Sequence, residues 1–248
     1  MKTLSNNSLS IPTFSVDDIK DENIVDKSVI EKLVKNMVLI KNGIYLKDIY
    51  DVKTFSGTLV KSAKPTAIEI NSFYISKYPI TKKEWTSIMD YDSSKCNRQD
   101  ENMPVSVDYE GCLRFIVELN RITGLKFDLP TSAQWDYAAH GGRSNNFHLE
   151  DKTFAEIEEY AWIDMIFPIG LKAPNTIGLY DMFGNIKELC KKEKSDRGIA
   201  KGGRISSERI WQTNGYYHYE DYWSEENLNP DEAGFRLVCN DVDIKSLL

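Results

Sequence analysis

The sequence predicts an α+β fold in which helices dominate the first part of the chain and short, loop-connected strands dominate the rest. Before residue 140, several segments place apolar residues at helical spacing, and short strand-type apolar runs lie between them. After residue 140, brief apolar pieces alternate with glycine, proline and asparagine. The order of these segments does not repeat a strand–helix–strand unit, which favours the α+β class over a parallel α/β sheet.

The composition is that of a globular protein. The chain has 248 residues, of which 41% are hydrophobic, and a net charge of -7. This acidic balance argues against a nucleic-acid partner, because binding through phosphates needs a basic surface. The sequence contains neither the apolar core of a signal peptide nor an uncharged run of the roughly 18 residues that span a bilayer. We therefore expect a cytoplasmic protein with no nucleic-acid and no membrane partner.

The first elements are an arm, a helix and strands. Residues 1–23 are polar and predict a flexible arm. Residues 23–35 place apolar side chains near helical spacing and predict a short amphipathic helix. Two apolar runs on either side of Asn42-Gly43 predict a β-hairpin over residues 37–46. Residues 67–78 predict another strand pair or a bent strand.

Three further helices are predicted from their ends. Thr81 and Glu84 form the pattern of a capping box for a helix that continues to Met89. The next helix follows Asp108 and is expected to stop at Gly124. Thr131 is a natural N-cap for the third helix, which ends at the Gly-Gly pair at residues 141–142.

The segment from residue 178 to residue 188 combines apolar residues with a set of oxygen donors. Asp181 and Glu188 supply carboxylates, and Gly184 frees the backbone to turn a carbonyl inward. A hard cation such as calcium binds carboxylates together with main-chain carbonyls. The spacing is not that of an EF-hand loop, so the residues alone favour a tight turn with solvated carboxylates.

Aromatic residues are concentrated late in the chain. Tyrosine and tryptophan offer a large contact area with a polar handle, and asparagine and glycine offer adaptable hydrogen bonds, as in binding loops. About half of these aromatics could instead fill the core, since tyrosine is intermediate in burial. The candidate ligand-binding residues are Trp211, Asn214, Tyr216, Tyr217, His218, Tyr219 and Tyr222.

Several motifs, in a fixed order, resemble the formylglycine-generating enzyme (sulfatase-modifying factor) family. They include Phe73-Tyr74-Ile75, Leu129-Pro130-Thr131, Trp135-Asp136-Tyr137-Ala138-Ala139, Gly178-Leu179-Tyr180-Asp181-Met182 and Gly234-Phe235-Arg236. The resemblance implies a C-type-lectin-like fold for a domain at residues 36–241. Residues 1–35, the arm and its short helix, would precede this domain, and residues 242–248 would form a tail.

The resemblance also implies a calcium site that is present and a copper site whose cysteine ligands are missing. It implies a structural calcium ion held by Asp181, Gly184, Ile186 and Glu188, which changes the preference for a simple turn. Catalysis in the family is expected to need two copper-binding cysteines five residues apart after the Gly-Gly. Here Gly203 is followed by a segment with no cysteine, and Ser207 and Gln212 fall near the expected positions. We therefore expect no copper and assign no catalytic residue.

Three functions remain open. The first is a non-catalytic domain that binds a protein or small ligand through its C-terminal loops. The second is a metal-dependent oxidoreductase with an atypical active site, for which the candidate ligands are His140, His148, His218 and Cys190. The third is a structural or regulatory partner of another enzyme, with the N-terminal arm as a tether.

Overall fold

The computed structural model describes residues 26–47, 52–53, 59–60, 66–89, 100–143, 156, 158–162, 165–192, 198–203, 221–223 and 233–240. Four helices lie in this part of the chain: α1 (Lys27–Lys35), α2 (Lys82–Met89), α3 (Tyr109–Thr123) and α4 (Ser132–Ala139). Its strands are β1 (Met37–Ile40), β2 (Gly43–Lys47), β3 (Val52–Lys53), β4 (Leu59–Val60), β5 (Thr66–Ile70), β6 (Phe73–Ser76), β7 (Phe127–Asp128), β8 (Ala161–Trp162), β9 (Phe183–Gly184), β10 (Lys187–Leu189), β11 (Gly198–Lys201), β12 (Asp221–Trp223), β13 (Ala233–Gly234) and β14 (Val238–Cys239). Helices combined with several small sheets confirm the predicted α+β class.

The predicted hairpin at residues 37–46 is wrong. Strand β1 pairs antiparallel with β6, and β2 pairs antiparallel with β5, in one register that continues across residues 41–42. Asn42 therefore lies within a long two-stranded ribbon, where its N–H donates to Ser72 Oγ at 2.9 Å. Gly43 is needed for packing and not for a turn, because a Cβ there would lie 2.1 Å from Tyr137 Oη.

The helix ends agree with the predictions. Glu84 Oε2 accepts the N–H of Thr81 at 2.8 Å, and the Glu84 N–H donates to Thr81 Oγ1 at 3.2 Å, which completes the capping box of α2. The carboxylate of Asp108 caps α3, which ends at Gly124 in the left-handed conformation. Thr131 caps α4 in a second capping box. These ends form as predicted because each depends on residues within one helical turn.

The sheet β1-β6-β14-β7 has buried side chains on both faces. Neighbouring residues on a strand point to opposite faces. Accordingly, Tyr74 and Cys239 join one hydrophobic cluster, which also contains the apolar face of α1 and α3. Ile75 and Val238 join a second cluster, to which α4 contributes Trp135. The sheet thus divides the core into two parts.

A second sheet, of order β12-β11-β10-β13, positions the residues of interest. Strand β10 pairs antiparallel with β11 and parallel with β13. This pairing places Glu188 opposite both Lys201 and Gly234. Within the described part of the chain, no helix is both long and apolar enough to cross a membrane.

Candidate functional site

The predicted calcium loop lies in the interior. All residues from 181 to 186 are buried, and Glu188 has no exposed surface. The solvated carboxylates of the alternative turn hypothesis are therefore not found. A carboxylate without water must be compensated by hydrogen bonds, by a cation or by protonation, so the partners of these two acidic residues decide what the loop can bind.

Glu188 is compensated by an arginine and a tryptophan. Arg236 Nε donates to Glu188 Oε2 and Arg236 Nη2 to Glu188 Oε1, both at 2.6 Å. The indole N–H of Trp135 donates to Oε2 at 2.7 Å. This bidentate geometry is the strongest that an arginine and a carboxylate form. A carboxylate has about four lone-pair sites, and the described residues occupy three of those on Glu188, which leaves one site on Oε1.

The guanidinium of Arg236 also ties neighbouring elements together. Its Nη1 donates to the carbonyl of Ser76 at 3.1 Å, and its Nη2 donates to the carbonyl of Tyr180 at 3.0 Å. One side chain thereby connects β6, β10 and the loop before β9. The single arginine within the buried apolar run of residues 233–239 is the sequence signal that could have predicted this role.

Asp181 is buried but only partly compensated. Its Oδ2 accepts the N–H of Gly170 at 2.7 Å, whereas its buried Oδ1 accepts no hydrogen bond from the described residues. Burial raises the pKa of Asp181, although the Gly170 N–H and the guanidinium of Arg236 lower it and Glu188 raises it further. The indole of Trp162 is close enough to lower this pKa as well.

The backbone of the loop is tightly constrained. Asp181 and Asn185 have φ values of 55° and 63°, in the left-handed region that few non-glycine residues adopt. Gly184, with φ of 78°, packs so closely that a Cβ would lie 1.9 Å from the carbonyl oxygen of Trp162. The side-chain oxygen of Asn185 accepts the N–H of Phe167 at 2.9 Å. The loop is thus fixed from both sides.

These residues fit a calcium ion in part. Asp181 Oδ1 and the remaining lone pair of Glu188 Oε1 are carboxylate donors, and Gly184 and Ile186 lie in the same buried loop, where hard-cation chemistry needs carbonyl oxygens. The positive charge of the Arg236 guanidinium beside Glu188 would repel a calcium ion at that carboxylate. A hydrogen bond from the nearby indole N–H of Trp162, also without a partner in the described residues, would satisfy Asp181 without a metal. The calcium site remains a prediction.

A second buried ion pair was not predicted from the sequence. Lys201 Nζ donates to Asp136 Oδ2 at 2.9 Å, and the hydroxyl of Tyr45 donates to the same oxygen at 3.1 Å. Lys201 and Asp136 each have 1% of their side-chain surface exposed. The sequence gives only a weak indication of this pair, because a lysine before a Gly-Gly and an aspartate in a helix are both common. The pair anchors the end of β11 to α4.

The candidate ligand-binding residues lie almost entirely outside the described residues. This holds for Trp211, Asn214, Tyr216, Tyr217, His218 and Tyr219. The backbone of Tyr222 lies on β12, opposite Ile199 of β11. In the same ladder Ala200 pairs with Asp221, so the connection between these strands starts and ends on paired strands.

The described cysteines are buried in the core, and the described histidine lies at a helix end. Cys112, Cys190 and Cys239 are buried, with 0% exposure, and Cys190 and Cys239 belong to different hydrophobic clusters. His140 is the C-cap of α4, and its ring packs against Tyr45. Cys96, His148 and His218 lie outside the described residues. Within the described ranges, no group of three histidine, cysteine or acidic residues is placed to hold a metal.

The two-cluster core and the buried loop define a C-type-lectin-like domain of the formylglycine-generating type. The family described as the sulfatase-modifying factor enzyme 1-like domain matches residues 25–241. The chain therefore belongs to this family. The match includes helix α1, which packs into the core through Ile30, Leu33 and Val34.

Known relatives agree with this assignment. The chain is 24% identical to the chaperone protein LppX of Paenibacillus barcinonensis, with 69% of this chain and 81% of that protein covered. It superposes on Treponema denticola variable protein 1 with a TM-score of 0.66 and 19% identity, covering 82% of this chain and 94% of that one. It superposes on PvdO from Pseudomonas aeruginosa with a TM-score of 0.66 and 18% identity, covering 82% of this chain and 94% of that one. The superposition on CarF has a TM-score of 0.60 and 17% identity, and it covers 83% of this chain and 98% of that one. At these identities the structural likeness establishes the fold.

Proposed function

We propose that this chain is a non-catalytic member of the sulfatase-modifying factor family that binds a protein or small ligand through residues 204–230. The observation that carries the proposal is the content of the segment after Gly203, which has no cysteine at all. Copper chemistry of the family type needs soft thiolate ligands. Ser207 and Gln212, which lie near the expected positions, are not such ligands.

The part of this segment before residue 221 connects two paired strands, β11 and β12, and these fixed ends support a binding role. The last residue of β11, Lys201, is held by its buried ion pair with Asp136. The segment returns at Asp221, which pairs with Ala200. Binding residues are commonly carried by connections that start and end on a rigid scaffold. The tyrosine-rich composition of this connection suits recognition for the same reason.

The name of one relative favours a protein as the ligand. LppX, which shares 24% identity with this chain, is called a chaperone protein. A chaperone acts on another polypeptide, and a surface rich in tyrosine and tryptophan offers the contacts that protein interfaces favour. We therefore place a polypeptide partner ahead of a small ligand.

Affinity capture with quantitative mass spectrometry tests the binding surface. The full chain and a variant with Tyr216, Tyr217 and Tyr219 changed to alanine are used as bait in lysate of the source organism. We expect the variant to lose at least about ten-fold in recovery of the specific partner, equivalent to about 1.4 kcal/mol. Val117→Ala, at an exposed position of α3, is the matched control and should recover it normally. Equal recovery of the partner by all three baits would refute the proposal that these tyrosines form the binding surface.

Two further measurements separate the other hypotheses. Metal analysis of the purified chain tests the oxidoreductase alternative, and stoichiometric iron or copper would refute a non-catalytic role. Deletion of residues 1–23 tests the tether hypothesis, because a partner held by the arm would be lost from the capture. Retention of the partner by the deletion variant would leave the 204–230 surface as the binding site.

We also propose that the loop from Asp181 to Glu188 holds a structural calcium ion. The residues that would bind it are Asp181 through Oδ1, Glu188 through Oε1, and the carbonyls of Gly184 and Ile186. The support is the buried oxygen of Asp181, which accepts no hydrogen bond from the described residues. The ion would stabilise the loop and take no part in a reaction.

A further inference from the structure

A cavity of about 310 Å³ opens between α1, the first turn of α2 and the loop at residues 169–170. Among the described residues, its lining contains none from the calcium loop at residues 181–188. This volume is at the lower end of the range for sites that bind small molecules. The cavity therefore suits a ligand the size of a single metabolite.

One wall of the cavity is held rigidly. Tyr78 lies against Gly170, where a Cβ would be only 2.7 Å from the ring. The N–H of Gly170 is bound by Asp181, and the N–H of Ile169 donates to the carbonyl of Asn102 at 3.0 Å. A wall that is ordered before binding reduces the entropic cost of holding a ligand.

The cavity carries charges of both signs. Lys32 and Lys83 both contribute to the lining, and neither forms a direct ion pair within the described residues, although Lys32 interacts electrostatically with Glu84 and Lys83 with Asp26. Glu84 also contributes to the lining. The two hydrogen bonds that its carboxylate accepts from described residues, from the N–H and the hydroxyl of Thr81, both go to Oε2. Oε1 is thus left to accept from a ligand.

We propose that this cavity binds a free α-amino acid. The α-carboxylate would lie at Lys32 and Lys83, and the α-ammonium would donate to Oε1 of Glu84. The side chain would pack against Tyr78 and Val29, which form an apolar part of the lining. A simple anion would use the lysines but would face Glu84 without compensation, so a zwitterion matches the charges better.

Titration calorimetry of the full chain tests the proposal with L-phenylalanine and L-leucine as probes. We expect saturable binding of at least one of them. For that amino acid, the amide, which lacks the carboxylate, and the N-acetyl derivative, which lacks the ammonium, should each bind at least about ten-fold more weakly. Acetate serves as the simple-anion probe. No saturable binding of either amino acid at millimolar concentration, or equal binding of the derivatives or of acetate, would overturn the proposal.

Three variants locate the site. Lys83→Met and Glu84→Gln should each lower the affinity at least about five-fold, by about 1 kcal/mol. Glutamine retains an oxygen for Thr81, so the cap of α2 remains and the fold can be checked by thermal unfolding. Lys35→Met, on the same helix as Lys32 but outside the cavity lining, should bind as the wild type does. Unchanged affinity in both site variants would exclude this cavity, whatever the outcome for the 204–230 surface.

Discussion

Arg236→Met is the substitution that most directly tests the buried ion pair between Arg236 and Glu188. Both side chains have 0% exposure. The methionine would fill much of the volume of the arginine but supply none of its four hydrogen bonds, two to Glu188 and one each to the carbonyls of Ser76 and Tyr180. Only the hydrogen bond from Trp135 would remain on Glu188.

The expected loss follows from the uncompensated charge. Removing one partner of a buried ion pair costs about 3–5 kcal/mol, because the other charge remains without water. We therefore expect a decrease of about 4 kcal/mol in the free energy of unfolding, which is large for a domain whose total is about 5–15 kcal/mol.

Urea unfolding followed by tryptophan fluorescence measures this loss. Arg121→Met is the matched control, because Arg121 also binds a glutamate, Glu118, through two nitrogens, but with 48% of its side chain exposed. The control should lose no more than about 0.5 kcal/mol. Adding Glu188→Gln to Arg236→Met should recover part of the loss by removing the buried charge. A loss below about 2 kcal/mol for Arg236→Met would refute the reasoning.

Three further outcomes are expected. Millimolar calcium should raise the Tm relative to EDTA, and the increase should be smaller at acidic pH, because burial raises the pKa of Asp181 and protons compete with the ion. Asp181→Ala, which removes the side-chain oxygens, should abolish the increase. A Tm indifferent to calcium would refute the metal proposal. Gly43→Ala should cost about 1–3 kcal/mol in urea unfolding by forcing a Cβ against Tyr137 Oη, and Tyr137→Phe should restore part of it; a full loss in the double variant would contradict this contact. Burial raises the pKa of Glu84 above its ordinary 4.5, so this residue stabilises the fold most at low pH, where it is neutral. The stability of the wild type should therefore fall relative to that of Glu84→Gln as the pH rises towards neutrality. A pH-independent difference between the two proteins would contradict the burial effect.

The parts of the fold that could be predicted are those fixed by neighbouring residues. The caps at Thr81, Asp108 and Thr131 depend on one turn of helix, so local sequence determines them. The pairing of β1 with β6 runs from Met37 with Ser76 to Ile40 with Phe73, so it depends on residues far apart in the sequence. Asn42-Gly43 was a misleading local signal for a hairpin.

The sequence pointed to the acidic residues of the candidate site but not to their partners. The motif selects Asp181 and Glu188, whose role as calcium ligands remains a prediction, and the structure adds that Arg236, from the far end of the chain, neutralises Glu188. The same is true of Lys201 and Asp136, which only the packing of α4 against β11 brings together. Buried charges obtain their partners from tertiary structure, which local patterns do not encode.

The antiparallel pairing of Ala200 with Asp221 has a consequence for how this protein can change. Paired backbones in such a ladder are only about 5 Å apart, so the intervening segment begins and ends at nearly the same point. The entropy of closing such a loop grows slowly, by about 0.6 kcal/mol for each doubling of its length. Insertions and exchanged sequences between these strands should therefore cost little folding stability, and this domain offers a place where new binding specificities can be grafted or evolve without redesign of the core.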